Sequence, residues 1–289
     1  MTVLTAVKSR VPSLTHVMPS QRRGGVTAVT SLDDDVFVVR CYSQQVEVYD
    51  AVTFTLQRHV TVEGLGSDIY GMTACARNKC LYLSDWSNNS VHRAEISGSG
   101  AVKNWSVASS PTGLSVNIAH NLVVACWEAF LLPEEINHYH KLQEYTTHGS
   151  LVREICLQTG VTSPWQAVQL STGDYVVSRF KSSGVVSIVG VDGQVRQSYG
   201  KSHTSDVGQM KYPSSLAVTK NDVILVADQN NNRILSVNRS TGWVQTSALP
   251  VDGGIQAPRG LCLDESRGRL YVGEWGGQCR VLVFDGVRL

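Results

Sequence analysis

The chain has 289 residues, of which 42% are hydrophobic and 17% charged, and a formal net charge of +1. That length suits a single all-β domain, while the balanced charge and the lack of any apolar run near the ~20 residues of a spanning helix remove the compositional case for a nucleic-acid or membrane partner. Seven cysteines, an odd number without metal-type pairing, and an N-terminus without a signal-peptide apolar core lead us to expect a reducing, cytoplasmic setting, with Cys75 and Cys80 as thiols across a hairpin.

In chain order, six units share one grammar: a Pro/Gly lead-in, a short apolar strand, a polar turn, then an apolar strand that ends in a polar residue and usually an aromatic. Unit one has RGG (23–25) and FVVRCY (37–42), followed by VEVYD (46–50). Unit two has IYG (69–71), LYLSDW (81–86) and VHRAEI (91–96). Unit three has SPTG (110–113), VVACW (123–127) and then a long segment, 128–145, before its next strand. Unit four has SPWQ (163–166) and YVVSRF (175–180). Unit five has YPSS (212–215), ILVADQ (224–229) and ILSV (234–237). Unit six has APRG (257–260), LYVGEW (270–275) and RVLVF (280–284). Short runs rich in Val, Ile, Leu and Tyr between turn residues read as strands.

Aligned on the residue before the aromatic (Cys41, Asp85, Cys126, Arg179, Asp228, Glu274), the units recur about every 47 residues, the spacing of propeller blades. The expected fold is all-β: a six-bladed β-propeller of four-stranded antiparallel blades, forming one domain over residues 1–289. The last unit lacks an outer strand, and SLTHVM (13–18) precedes the first. We expect residues 14–18 to close the last blade and remove an open sheet edge, with residues 3–7 as the alternative.

Two segments, LYLSDWSNNSVHRAEISGSG (81–100) and YPSSLAVTKNDVILVADQNNNRILSVN (212–238), resemble NHL repeats, the first with features of YWTD blades. Asp228, Asn230, Asn232, Arg233 and Ile234 match the NHL pattern; blades three and four depart from it, with Cys126 and Arg179 where Asp is expected. The resemblance implies a six-bladed propeller like the C-terminal domains of tripartite-motif proteins. No RING, B-box or coiled-coil pattern accompanies it, so the expected molecule is the propeller alone, monomeric in isolation.

In such a propeller the lead-ins and the loops after strand two share one rim. Its expected ligand-binding residues are Arg40, Tyr42, Trp86, Trp127, Glu128, Arg179, Phe180, Gln229 and Trp275. The aromatics have two readings, as wedges between blades or as a partly exposed collar around the channel mouth. Asp85 and Asp228 are expected to cap loops through backbone NH groups. Arg40 and Arg179 break that pattern and are read either as contacts for an acidic ligand, removable without loss of stability, or as members of surface salt bridges. The long segment after Trp127 reads as a lid, and His138 and His140 near Glu134 and Glu135 as a chance pattern rather than a metal set.

The function expected from these residues is non-catalytic capture of a protein or peptide segment on the rim, with no cofactor and no metal. One alternative is single-stranded RNA binding through stacking and Arg22, Arg23, Arg40, Arg179, Lys181, Lys201 and Arg259, against which stand the acids on the same rim. Another is a metal-dependent hydrolase or lyase of the six-bladed type. The expected channel-lining positions, Gly25, Gly71, Gly113, Gln166, Ser215 and Gly260, hold no carboxylate for such a centre.

Overall fold

A computed structural model describes residues 12–18, 24–96, 103–127, 140–179, 184–200, 209–239, 244–246, 249 and 254–287. Its strands form six four-stranded antiparallel sheets. Five blades take four consecutive strands each; blade one, for instance, runs Val26–Leu32, Asp35–Arg40, Gln45–Asp50 and Leu56–Thr61. The sixth combines Pro258–Asp264, Arg269–Glu274 and Val281–Asp285 with the N-terminal strand Ser13–Met18 as its outer member. Residues 14–18 therefore do close the last blade; the alternative, residues 3–7, lies outside the described residues. The first strand of every blade touches the first strand of the next, and the sixth touches the first, so the ring is complete.

Each sheet has two apolar faces, and neither is buried until a neighbouring blade covers it. Six core clusters result, one per blade junction. Phe37, Val39, Leu81 and Leu83 fill the first, and Met18, Val29, Tyr271 and Val281 fill the one that joins blade six to blade one. The aromatic wedges are Phe37, Tyr82, Tyr175, Tyr271 and Phe284, all fully buried. Cys75 and Cys80 face each other across the blade-two hairpin as free thiols.

The lead-ins set the geometry of the central opening. In five of the six first strands the register slips near the lead-in, between Val26 and Ala28, Pro111 and Leu114, Pro164 and Gln166, Pro213 and Leu216, and Pro258 and Gly260. Such a bulge lifts one residue out of the ladder and re-aims its side chain. The lifted residues are Thr27, Thr112, Trp165, Ser214 and Arg259, with Tyr70 in the equivalent place before Gly71. The register also corrects the channel lining: blade one contributes Ala28, not Gly25, beside Gly71, Gly113, Gln166, Ser215 and Gly260. All but Gln166 are small, because the blades nearly touch. A Cβ on Gly71 would lie 2.4 Å from the Thr112 carbonyl oxygen, and one on Gly113 would lie 2.5 Å from that of Trp165.

Candidate ligand-binding cavity at the mouth of the ring

In three blades the lifted residue carries a hydroxyl that folds back onto the second strand. Thr27, Thr112 and Ser214 donate to the carbonyls of Val39, Ala125 and Ala227 at 3.1, 3.0 and 3.3 Å. In blades two and four the lifted residue is aromatic, and the hydroxyl has moved to the second strand instead. Ser84 accepts from Gly71 N at 2.7 Å, and Ser178 accepts from Gln166 N at 3.2 Å. The polar needs of the bulge are thus met locally in all five, which frees Tyr70 and Trp165 to face the opening. Blade six has neither hydroxyl: its lifted residue is Arg259, and Gly273 on the second strand pairs with Gly260.

The next layer outward comes from the residue after strand two. Its backbone NH is tied to the lead-in: Cys41 to Gly25, Trp86 to Asp68, Gln229 to Tyr212 and Trp275 to Ala257, at 2.9 to 3.2 Å. This pairing makes Cys41 the blade-one counterpart of Trp86 and Trp275. Tyr42, the residue read as the collar member, is one position further on, at φ 61° and 79% exposed, on the lip.

Together these layers enclose a cavity of about 550 Å³. Trp86, Trp127, Gln229, Trp275, Tyr42, Tyr70, Trp165, Tyr212 and Arg259 line it, with Cys41 and Asp68. Trp86 stacks on Trp127 with centroids 5.7 Å apart, and Tyr70 stands edge-on to Trp86 at 6.0 Å. Trp86, Trp127 and Trp275 are half-buried and line the mouth as a collar, while Trp86 meets Trp127 of the next blade and Trp275 packs against Gly25 of blade one. Tyr70, Trp165 and Arg259 also line the channel below, so they form the cavity's floor. That channel offers only about 30 Å³, room for a water or two. Gln166 obstructs it, accepting from Ser215 and Leu216 N at 3.0 and 2.8 Å and donating to the Leu114 carbonyl at 3.3 Å. The cavity is therefore a blind recess.

Arg259 is 7% exposed, with its guanidinium carbon 4.0, 4.9 and 5.4 Å from the ring centroids of Trp275, Trp165 and Tyr70. Burial lowers its pKa, partly offset by Tyr70, Tyr212 and Cys41. Arginine starts so far above neutrality that it stays cationic. Burial raises the Tyr70 and Tyr212 phenols, which remain neutral.

The charged residues beside the collar fall elsewhere. Arg40, expected to meet ligand, is 2% exposed; its Nε lies 3.0 Å from both Glu47 carboxylate oxygens, and its Nη1 donates to the Cys279 carbonyl at 2.8 Å. It is a clamp between blades one and six, not a rim contact. Arg179 is also buried, donates to the Gly160 carbonyl and does not line the cavity; burial lowers its pKa. Asp85 accepts from Gly66 N and Asn88 N at 2.7 and 3.2 Å, and Asp228 from Lys211 N at 2.6 Å, so both cap loops. Glu128 and Phe180 lie outside the described residues, as do His138, Arg22, Arg23, Lys181, Lys201 and most of the segment after Trp127. Sequence reasoning missed Tyr70, Trp165 and Tyr212 as lining residues; for Tyr70 and Trp165 the signal was the contrast among lifted positions, where three blades hold Ser or Thr and three do not, and Tyr212 carried no such signal.

Comparison with known proteins agrees with this architecture. Residues 210–235, in blade five, match the NHL repeat model, and the chain is a six-bladed β-propeller carrying an NHL repeat. No curated protein sequence matches it. Similar solved structures include a streptogramin B lyase, at 10% identity and a TM-score of 0.65 over 93% of this chain and 96% of that one. A Bacteroides caccae protein of unknown function is similar at 16% identity and a TM-score of 0.63, covering 83% and 82%. Hydrazine synthase of Kuenenia stuttgartiensis is similar at 18% identity and a TM-score of 0.64, covering 99% and 80%. At these identities the likeness is one of fold.

Proposed function

We propose that the protein is a non-catalytic binding propeller that captures a segment of a protein or peptide in the mouth cavity. The observation that carries this reading is the blind recess itself: about 550 Å³, walled by half-buried Trp86, Trp127 and Trp275 and floored by Tyr70, Trp165 and Arg259. Aromatic side chains with polar tips in a concave site are the composition of binding hot spots. Two features support binding over turnover. The described lining carries one carboxylate, Asp68, and no histidine. No group of three or more His, Cys, Asp or Glu suited to a metal occurs among the described residues. A single-stranded RNA would find the stacked tryptophans but only one cation, Arg259, in that lining, too few for a polyphosphate chain.

The test is Trp127→Ala, with Trp86→Ala beside it, against peptides selected from a displayed random library on the wild-type protein. Both rings are partly exposed and their mutual stacking contributes only ~0.5–1.5 kcal/mol. Binding should weaken by about tenfold or more, while the melting temperature falls by only a few degrees. Collapse of the fold in both variants would make the rings packing elements and remove the basis for the reading.

A further inference from the structure

Two buried arginines of the described ring pair with no carboxylate, Arg179 and Arg259, and of these Arg179 donates to the Gly160 carbonyl. Arg40, Arg153, Arg233, Arg239, Arg267, Arg269 and Arg280 each pair with a carboxylate, Glu47, Glu144, Asp228, Asp222, Asp264, Asp285 and Glu274 respectively. Arg259 is buried to a similar degree as Arg40, yet no described carboxylate or carbonyl accepts a hydrogen bond from its guanidinium. Its Nε is buried without any partner. Ring faces attract the cation, but they leave the in-plane N–H groups unused. A buried cation without a counter-ion is costly. The chain keeps one here at the position where other blades place a Thr, a Ser or an aromatic.

The surroundings narrow the missing partner. The recess is blind and Arg259 sits in its floor, so the group that meets it is at the tip of whatever enters, not in the middle of a chain passing through. The described lining holds one cation, and Asp68 adds a negative charge. That balance suits a singly charged anion and disfavours a doubly charged phosphate. The planar fork of N–H donors matches a carboxylate. Above it, the flat Trp86–Trp127 pair offers a surface for an apolar or planar body.

We propose that Arg259 is the receptor for a single carboxylate at the tip of the captured segment, with the adjoining apolar part of the ligand lying on Trp86 and Trp127. The carboxylate comes either from a chain end or from an Asp or Glu side chain. This inference rests on the binding role proposed above.

The experiment uses peptides selected on the wild-type protein from a random library with free C-termini. Each is resynthesised with an amidated end, and separately with its Asp and Glu replaced by Asn and Gln. Affinities are then titrated calorimetrically against wild type, Arg259→Leu, Arg259→Lys and Trp127→Ala. One neutralised carboxylate should cost about 30-fold or more, and which substitution does so tells chain end from side chain. Arg259→Leu should impose a similar loss, and neutralising the same carboxylate in that variant should cost little more, since the two act as one pair. Arg259→Lys, which keeps charge but not the fork, should fall between. Peptides that weaken on Trp127→Ala but bind Arg259→Leu as tightly as wild type would leave the binding role standing and overturn the carboxylate pairing. Peptides indifferent to both variants, or no enriched peptide at all, would overturn both. If Arg259→Leu melts well below wild type, the comparison of free-acid and neutralised peptides on wild type and Arg259→Lys still decides, because a purely structural arginine would leave all of them equal.

Discussion

A chain that begins at residue 19 should fail to form a stable ring. The strand Ser13–Met18 makes five cross-strand pairings with Val281–Asp285, and Met18 is fully buried between blades six and one. Burying such a side chain contributes ~1.5–3 kcal/mol, and the ladder's hydrogen bonds ~0.5–1.5 kcal/mol each. The combined loss, on the order of 5 kcal/mol, is comparable with the ~5–15 kcal/mol that holds a domain together. Removal would also uncover the edge of Val281–Asp285, an apolar strand ready to pair with another chain. Size-exclusion chromatography should show aggregates, and thermal melting a broadened or missing transition. Melting within a few degrees of the intact chain would mean that the clasp contributes little.

Glu47→Ala should be nearly as damaging. It strands the Arg40 guanidinium in a site that is 2% exposed and removes the acceptor of the Tyr49 hydroxyl, which lies 2.9 Å from Glu47 Oε2. Burial, followed by the nearby carboxylate, pushes the Tyr49 phenol up to about 12, so it stays a neutral donor there. Breaking a buried ion pair by removing one partner costs ~3–5 kcal/mol, whereas replacing both by apolar residues is often close to neutral. The double variant Arg40→Met with Glu47→Leu should therefore recover most of the stability in urea unfolding. Neither change should alter peptide affinity once the folded fraction is allowed for. An Arg40→Ala protein that melts like wild type but loses its ligand would restore the reading of Arg40 as a contact residue.

Arg40 also shows where the sequence could be read and where it could not. Blades five and six pair an acid at the end of strand two with an arginine, Asp228 with Arg233 and Glu274 with Arg280, at 2.8 Å in each case. Blade one uses the reverse, Arg40 with Glu47. Seen alone, an arginine at an acidic position looks like a site; its partner, seven residues on, makes it a structural pair of opposite polarity. The blade count, the closing strand and the capping roles of Asp85 and Asp228 were open to inspection, because they rest on periodicity and local turn chemistry. The collar was only half visible. In FVVRCY the aromatic falls one residue late, so alignment on Tyr42 slipped a position that backbone bonding assigns to Cys41. The lead-in contribution was hidden for a further reason. A bulge sets two residues against one, and no repeat pattern shows which of them turns toward the opening. Trp165 therefore emerged only from strand register; Arg259 was legible as a lead-in cation, but its place in the floor came from the same register, and Tyr70 from its position before Gly71.

The most direct test of the account is a crystal structure of the protein bound to one of the selected peptides. Density is expected in the mouth cavity, with a carboxylate within hydrogen-bond distance of the Arg259 guanidinium and the adjoining side chain or backbone against Trp86 and Trp127. A peptide bound along an outer strand or on the opposite face of the ring, with the Arg259 recess left to solvent, would contradict it.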